Sequence, residues 1–251
     1  MRKPVPRFLP FDNRDPDKTA LYPMPLPDGI RCVAVVSRKA GAEHNDVAVW
    51  AVGDSSTTHC ITGFAPHIET AVDELYGVMM SEPLPGVTVN GQQKYFPGVV
   101  FDLILHDRHG EGSGTRTRAA LEDWELDDEW PVSSDIVCAL ALATLPLTAF
   151  NNGLDDCDLW MRRSHLMRGC TRIGMANPHA NPHPTIRPAT LAPESWSSPA
   201  YGRAGTNGVT FWTQVDNCFK KGYAGCLVVD VMQPWSVRGN HYQIITEEDF
   251  I

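Results

Sequence analysis

Apolar positions along the chain repeat with two periods. The run Ile30-Arg31-Cys32-Val33-Ala34-Val35-Val36 reads as a buried strand, and Asp46 to Val52, with Val47, Val49, Trp50 and Val52, reads as its neighbour. Gly98 to Leu105 is the clearest strand, and Gly225 to Val231 is a further one. Between His67 and Met80, Ile68, Val72, Leu75 and Met79 share one helical face, with Pro66 near the start, where proline is tolerated. Helices are also expected over Arg118 to Glu125, Asp155 to Arg172 and Gly208 to Phe219. Ile136 to Leu147 is an apolar segment ended by proline. Prolines at 4, 6, 10, 16, 23, 25 and 27 predict an irregular arm over residues 1–29, with order beginning at Ile30 and one domain over 30–251. Gly53 to Ser56 reads as a turn, His109 to Arg118 as a Gly-rich mobile loop, and Asn177 to Ser198 as a Pro-rich surface excursion. The elements do not alternate strictly as βαβ, which predicts an α+β fold with largely antiparallel sheets.

Composition narrows the class. With 251 residues, 43% hydrophobic and 20% charged, the chain is long enough to bury a substantial core and is unlike a disordered segment. No apolar run is long enough to cross a bilayer, and the basic start Met1-Arg2-Lys3 lacks the apolar segment of a secretory signal, so a cytoplasmic location and no membrane partner are expected. The seven cysteines are scattered, without Cys-x-x-Cys, and read as reduced thiols rather than a disulfide framework or a zinc site. A net charge of −9 argues against tight nucleic-acid binding, which needs a basic track along the phosphates. A protein partner, its identity unknown, is the expectation instead.

Five stretches, in order, carry a family resemblance. Pro25-Leu26-Pro27-Asp28-Gly29-Ile30-Arg31-Cys32 is similar to the Pro-Lys-Leu-Asp-Gly-Ile-Arg-Cys signature of ATP-dependent DNA ligases. Phe101-Asp102-Leu103-Ile104-Leu105-His106-Asp107 resembles their strand bearing Asp-Gly-Glu, and Asp158 to Leu166 resembles the helix with Arg-x-x-x-Leu behind the nucleotide pocket. Gly222-Tyr223-Ala224-Gly225-Cys226-Leu227-Val228 resembles Gly-Tyr-Glu-Gly-Ile-Met-Leu, and Pro234 to His241 the loop before the last catalytic strand. The resemblance spans roughly residues 20–245. It implies a ligase-like nucleotidyltransferase, ATP-grasp-like, core of largely antiparallel sheets with flanking helices and no OB-fold.

The departures from the family pattern are chemical. The position of the lysine that would carry AMP is Leu26; the glycine and glutamate positions of the second motif are Leu103 and Ile104; the later metal-linked glutamate is Ala224; and Tyr242-Gln243-Ile244-Ile245-Thr246 has no lysine for the phosphates. A hydrocarbon side chain cannot form a phosphoramide. The resemblance therefore implies a fold kept without ligation, serving a binding or assembly role, with a viral source in view because compact ligases are often phage-encoded. The alternative is altered chemistry in the remodelled cleft through Asp28, Arg31, Asp102 and His106.

No catalytic residue and no metal ligand is assigned. Asp28, Arg31, Asp102 and Gly225 are the expected remnant of a nucleotide cleft; no cofactor is expected, and ATP, AMP or Mg²⁺ are the ligands such a remnant would take. For Asp28 and Arg31 the plainer expectation is a turn cap and a surface ion pair. Lys18 and Lys220-Lys221 are the nearest candidate amines to replace the missing one. His179 and His183 have metal-like spacing, but the flanking prolines preclude the helix that would bring them together. Asp102, Asp107 and the stretch Asp123 to Glu129 have the oxygens for a divalent cation, although such a charge run is usually a solvated face.

Overall fold

The computed structural model describes residues 5–12, 21–38, 43–53, 58–80, 88–89, 92–93, 98–109, 113–127, 130–176, 186–188 and 211–250. In chain order the elements are β1 (Leu9–Pro10), β2 (Leu21–Leu26), β3 (Ile30–Ser37), β4 (Asp46–Val52), β5 (Thr58–Cys60), α1 (Pro66–Met80), β6 (Thr88–Val89), β7 (Gln92–Gln93), β8 (Gly98–Asp107), α2 (Thr115–Asp127) and β9 (Val137–Pro146). They continue with α3 (Leu147–Asn152), β10 (Leu154–Asp158), α4 (Leu159–Ala176), β11 (Ile186–Pro188), α5 (Phe211–Lys220), β12 (Gly225–Asp230), β13 (Pro234–Ser236), β14 (Tyr242–Ile245) and α6 (Glu247–Phe250).

Two sheets face each other. A six-stranded sheet has the order β11-β9-β8-β3-β4-β5, and a four-stranded sheet the order β1-β14-β12-β2. The larger is antiparallel apart from β11, which runs parallel to β9; the smaller is antiparallel apart from β1, parallel to β14. Alternation sorts the side chains of the central strands. Cys32, Ala34 and Val36 of β3 and Phe101, Leu103 and Leu105 of β8 pack with Ile68, Val72, Leu75 and Met79 of α1 and Leu166 of α4. Val33, Val35, Val100 and Ile104 point the other way, against Tyr22 and Met24 of β2, Leu227 and Val229 of β12 and Tyr242 of β14. The far side of the smaller sheet, with Cys226, Val228 and Ile245, is covered by Phe211, Val215 and Cys218 of α5. Helices thus flank a two-sheet core, as the sequence implied.

Several boundaries differ from expectation. Order begins before Ile30, because Leu21–Leu26 forms β2 despite Pro23 and Pro25. The two prolines are two residues apart, so their missing N–H groups fall on the same side of the strand, and an edge strand leaves one side unpaired. The Gly-rich loop is shorter than expected, since α2 starts at Thr115: Asp107, at the end of β8, accepts from Thr117 N at 2.8 Å, Thr117 Oγ1 at 2.7 Å and Arg116 N at 3.3 Å, and holds the helix N-terminus. Within the Pro-rich excursion, Ile186–Pro188 joins the large sheet as an edge strand. Residues 54–56, Lys18, His179 and His183 lie outside the described residues. No helix among the described residues is long and apolar enough to cross a membrane.

Candidate functional site

The layer between the sheets is apolar apart from a few buried polar groups, and one of these groups gathers two of the four expected cleft residues. Arg31 of β3 and Asp102 of β8 project into this layer from adjacent strands and meet side-on, Nε to Oδ1 at 3.0 Å and Nη2 to Oδ2 at 2.7 Å. The Arg31 side chain is 10% exposed and that of Asp102 2%, so the surface pairing expected for Arg31 is corrected to a buried, two-bond ion pair. Arg31 Nη1 also donates to the Pro6 carbonyl at 2.6 Å, and the guanidinium lies 4.1 Å from the centroid of the Phe8 ring and 5.5 Å from that of Tyr242.

Burial sets the titration of the surrounding groups. It raises the Tyr242 phenol far above its ordinary value, with the Asp102 charge adding to it. The adjacent His241 is lowered to about 4 by burial and by the Arg31 charge, so its imidazole is neutral near pH 7. Asp102 sits beside a bulge: it opposes Ala143 while the next residue, Leu103, opposes Ala141, leaving Leu142 as the extra residue. The Leu142 carbonyl accepts from Arg163 Nη1 of α4 at 3.1 Å, and the Arg163 guanidinium lies over the Tyr22 ring at 4.9 Å.

Asp28 is held elsewhere. In the turn between β2 and β3 it pairs with Arg118 of α2 through two contacts, one of them 2.8 Å from Nη1 to Oδ2, and both side chains are substantially exposed. The Arg118 hydrogen bond is the main cause that takes the Asp28 carboxyl below its usual value. Gly29 and Gly114 permit this approach: a Cβ on Gly29 would lie 2.2 Å from the Leu105 carbonyl oxygen, and one on Gly114 2.4 Å from that of Asp28.

Gly225 opens β12 directly opposite Leu26, the residue that the sequence resemblance matched to the family's lysine. Leu26 is half-buried against the intersheet layer and Ile104 is buried within it, whereas Ala224 is exposed. Lys220 is paired with Asp216 one turn earlier on α5. Asp102 and Asp107 do not converge on a cation, since Asp102 meets Arg31 and Asp107 the start of α2, and no cluster of three or more metal-capable side chains occurs among the described residues. Sequence reasoning missed Phe8, Arg118, Arg163 and Tyr242 as parts of these contacts. His241 and Tyr242 lay in matched stretches, but only as family positions; the partners of Arg118 and Arg163 are distant in sequence and left no local signal.

Two facing, mostly antiparallel sheets with flanking helices are a fold that this chain shares with solved structures of ATP-dependent DNA ligases. The chain is similar in fold to the ATP-dependent DNA ligase from bacteriophage T7 in complex with ATP, at 14% identity and TM-score 0.59 over 98% of this chain and 69% of that one. It is also similar to the ligase domain of LigD from M. tuberculosis, at 14% identity and TM-score 0.52 over 96% and 60%. For Pmar-Lig_Pre the values are 12% identity and TM-score 0.60 over 98% of this chain and 46% of that one, so this chain spans about half its length. No protein-family model matches the chain, and no curated protein matches it in sequence.

Proposed function

We propose that this chain uses the ligase-type nucleotidyltransferase fold without adenylate transfer, as a binding or assembly protein. The observation that carries the reading is Leu26: a hydrocarbon side chain opposite Gly225, packed against the intersheet core where the family's lysine would need an amine. Ile104 and Ala224, in place of the family's carboxylates, support it. A protein partner fits the surface better than DNA does. The net charge is −9, and α2 presents Glu122, Asp123 and Glu125 to solvent, with Leu126 and Trp130 nearby each 82% exposed. A virion or host-cytoplasm setting belongs to this reading. Incubation with α-labelled ATP and Mg²⁺, followed by denaturing electrophoresis, is expected to give no labelled band; a stable adenylated protein overturns the reading.

The second reading is altered chemistry or residual nucleotide binding, in which Asp28, Arg31, Asp102 and Gly225 still receive ATP or AMP with Mg²⁺. The paired Arg31 and Asp102 between the sheets, with His241 and Tyr242 beside them, favour it. Saturable heat on titration with AMP, lost in Arg31→Met, would support this second reading without requiring ligation.

A further inference from the structure

Residues 5–12 meet parts of the chain far away in sequence. Val5 is 2% exposed within the layer between the sheets, and Phe8 packs against that layer with its ring edge-on to Tyr242, centroids 5.8 Å apart. While Asp102 engages Nε and Nη2 of Arg31, this segment engages the rest of the guanidinium: the Pro6 carbonyl accepts from Nη1 at 2.6 Å, and the Phe8 ring centroid lies 4.1 Å from its carbon. Leu9 and Pro10 then pair in parallel with Gln243 and Ile244 of β14, and Phe11 N donates to the Ile244 carbonyl at 3.1 Å. The Phe11 ring leaves the layer and stacks on Phe211 of α5 at 5.9 Å, with Trp212 edge-on at 6.1 Å.

Side chains rather than a ladder hold this segment. Strand β1 is two residues long and lies at an edge of the smaller sheet, with β14 on one side only. Pro6 and Pro10 have no N–H with which to extend the pairing. Arg7, Leu9, Pro10 and Asp12 are exposed, so the contacts reduce to buried Val5 and Pro6 and the half-buried rings of Phe8 and Phe11. β14 keeps β12 on its other side, and β2 lies at the opposite edge, so the segment can leave without breaking a central strand. Segments with few backbone bonds and little buried surface open before the rest of a fold.

The groups beneath it are polar. Besides Arg31 and Asp102 they include His241, whose ring lies 4.4 Å from that of Tyr242 and whose two nitrogens are buried with no hydrogen-bond partner among the described residues. We infer that residues 5–12 are a releasable strap over the layer between the sheets, one that opens as a unit while both sheets stay folded and thereby uncovers Arg31. On release, Nη1 loses the Pro6 acceptor and the guanidinium loses its aromatic cover. A closed strap and a solute that takes either place on Arg31 therefore exclude each other, and the strap equilibrium sets access to the layer. This strap stands on the contacts of residues 5–12 and not on the ligase-type reading.

Hydrogen exchange of the full-length protein, followed by NMR in water and in urea below the unfolding transition, tests it. The reporter is the Phe11 amide, bonded to Ile244. Its exchange is expected to be faster than that of the amides of β3 and β8 and insensitive to urea, because opening the strap exposes little surface. Phe8→Ala, three residues away, is expected to speed Phe11 exchange by at least about tenfold while β3 and β8 are unchanged. The same variant should raise the fluorescence of the dye anilinonaphthalene sulfonate, whose binding reports the uncovered layer. Phe11 exchange with the urea dependence of β3 means that the segment leaves only on unfolding. Unchanged Phe11 exchange in Phe8→Ala means that the two rings act separately, and no gain in dye fluorescence means that the segment covers nothing. Each of these overturns the inference. If Phe8→Ala unfolds the chain, Phe11→Ala carries the test from the other end, since its ring lies against α5. Exchange of the Arg31 Nε proton is then expected to rise by a similar factor, and an unchanged rate overturns the inference.

Discussion

On the helix-covered side of the six-stranded sheet, Cys32, Ala34, Val36, Phe101, Leu103 and Leu105 meet only apolar neighbours from α1 and α4 within their cluster. On the side facing the second sheet, the same strands carry Arg31 and Asp102 among Val33, Val35, Val100 and Ile104, with His241 alongside Tyr242 from β14. Both faces are buried to a similar degree, so solvent access does not separate them. What separates them is how their stability is held. The helix face relies on close packing, which tolerates repacking with loss of fit. The intersheet face relies partly on charges removed from water, which are stable only while each keeps its partner. Such a face is costly when its polar groups are mismatched.

That contrast makes measurable predictions. Asp102→Ala leaves the Arg31 guanidinium buried beside no carboxylate and should cost about 3–5 kcal/mol in urea unfolding. Replacing both partners, as Arg31→Met with Asp102→Leu, should recover most of that loss. No partner exchange of this kind exists for Leu103→Ala on the helix face, where the loss is a cavity. If the double variant is no more stable than Asp102→Ala, the two faces do not differ in this way.

The second effect is pH-dependent. His241 in the folded protein titrates near 4, against an ordinary histidine value of 6.5. Between these values the unfolded chain binds the proton and the folded one does not. The His241 contribution to stability is therefore level above pH 6.5, falls as pH drops from 6.5 to about 4, and levels off below that. The whole window is worth about 3 kcal/mol at 1.36 kcal/mol for each pKa unit. His67, also lowered mainly by burial, adds a smaller slope of the same sign. Thermal melts of His241→Gln across pH 4–7 should show a clearly flatter dependence; an unchanged slope would assign the acid sensitivity elsewhere.

The smallest effect belongs to Asp28. Its pair with Arg118 is 39% and 46% exposed, and surface pairs of this kind contribute less than about 1 kcal/mol. Asp28→Asn should shift the unfolding midpoint only slightly, far less than Asp102→Ala, although the sequence gives the two carboxylates equal standing as cleft candidates.

Much of the fold could be read from periodicity. The strands over Ile30–Ser37, Asp46–Val52 and Gly98–Asp107 and the helix over Pro66–Met80 follow from alternation and helical spacing, because their hydrophobic faces must be buried whatever the topology. Leu21–Leu26 escaped because proline counts against a strand unless the strand lies at an edge, and edge position is a property of the sheet. At the site, Arg31 and Asp102 were both singled out, yet their pairing across 71 positions was not, and Arg31 was expected at the surface.

The chain's own residues settled which side chains are available: an aliphatic group at position 26, no lysine in the last strand, seven scattered thiols and an acidic balance. Those are facts of covalent chemistry, and no packing alters them. Which of the polar groups became neighbours, and how deeply each was buried, was settled by the register of β3, β8 and β9 and the closure of the smaller sheet over them. Pairing and desolvation depend on distances between residues far apart in sequence, and those distances exist only once the sheets have closed.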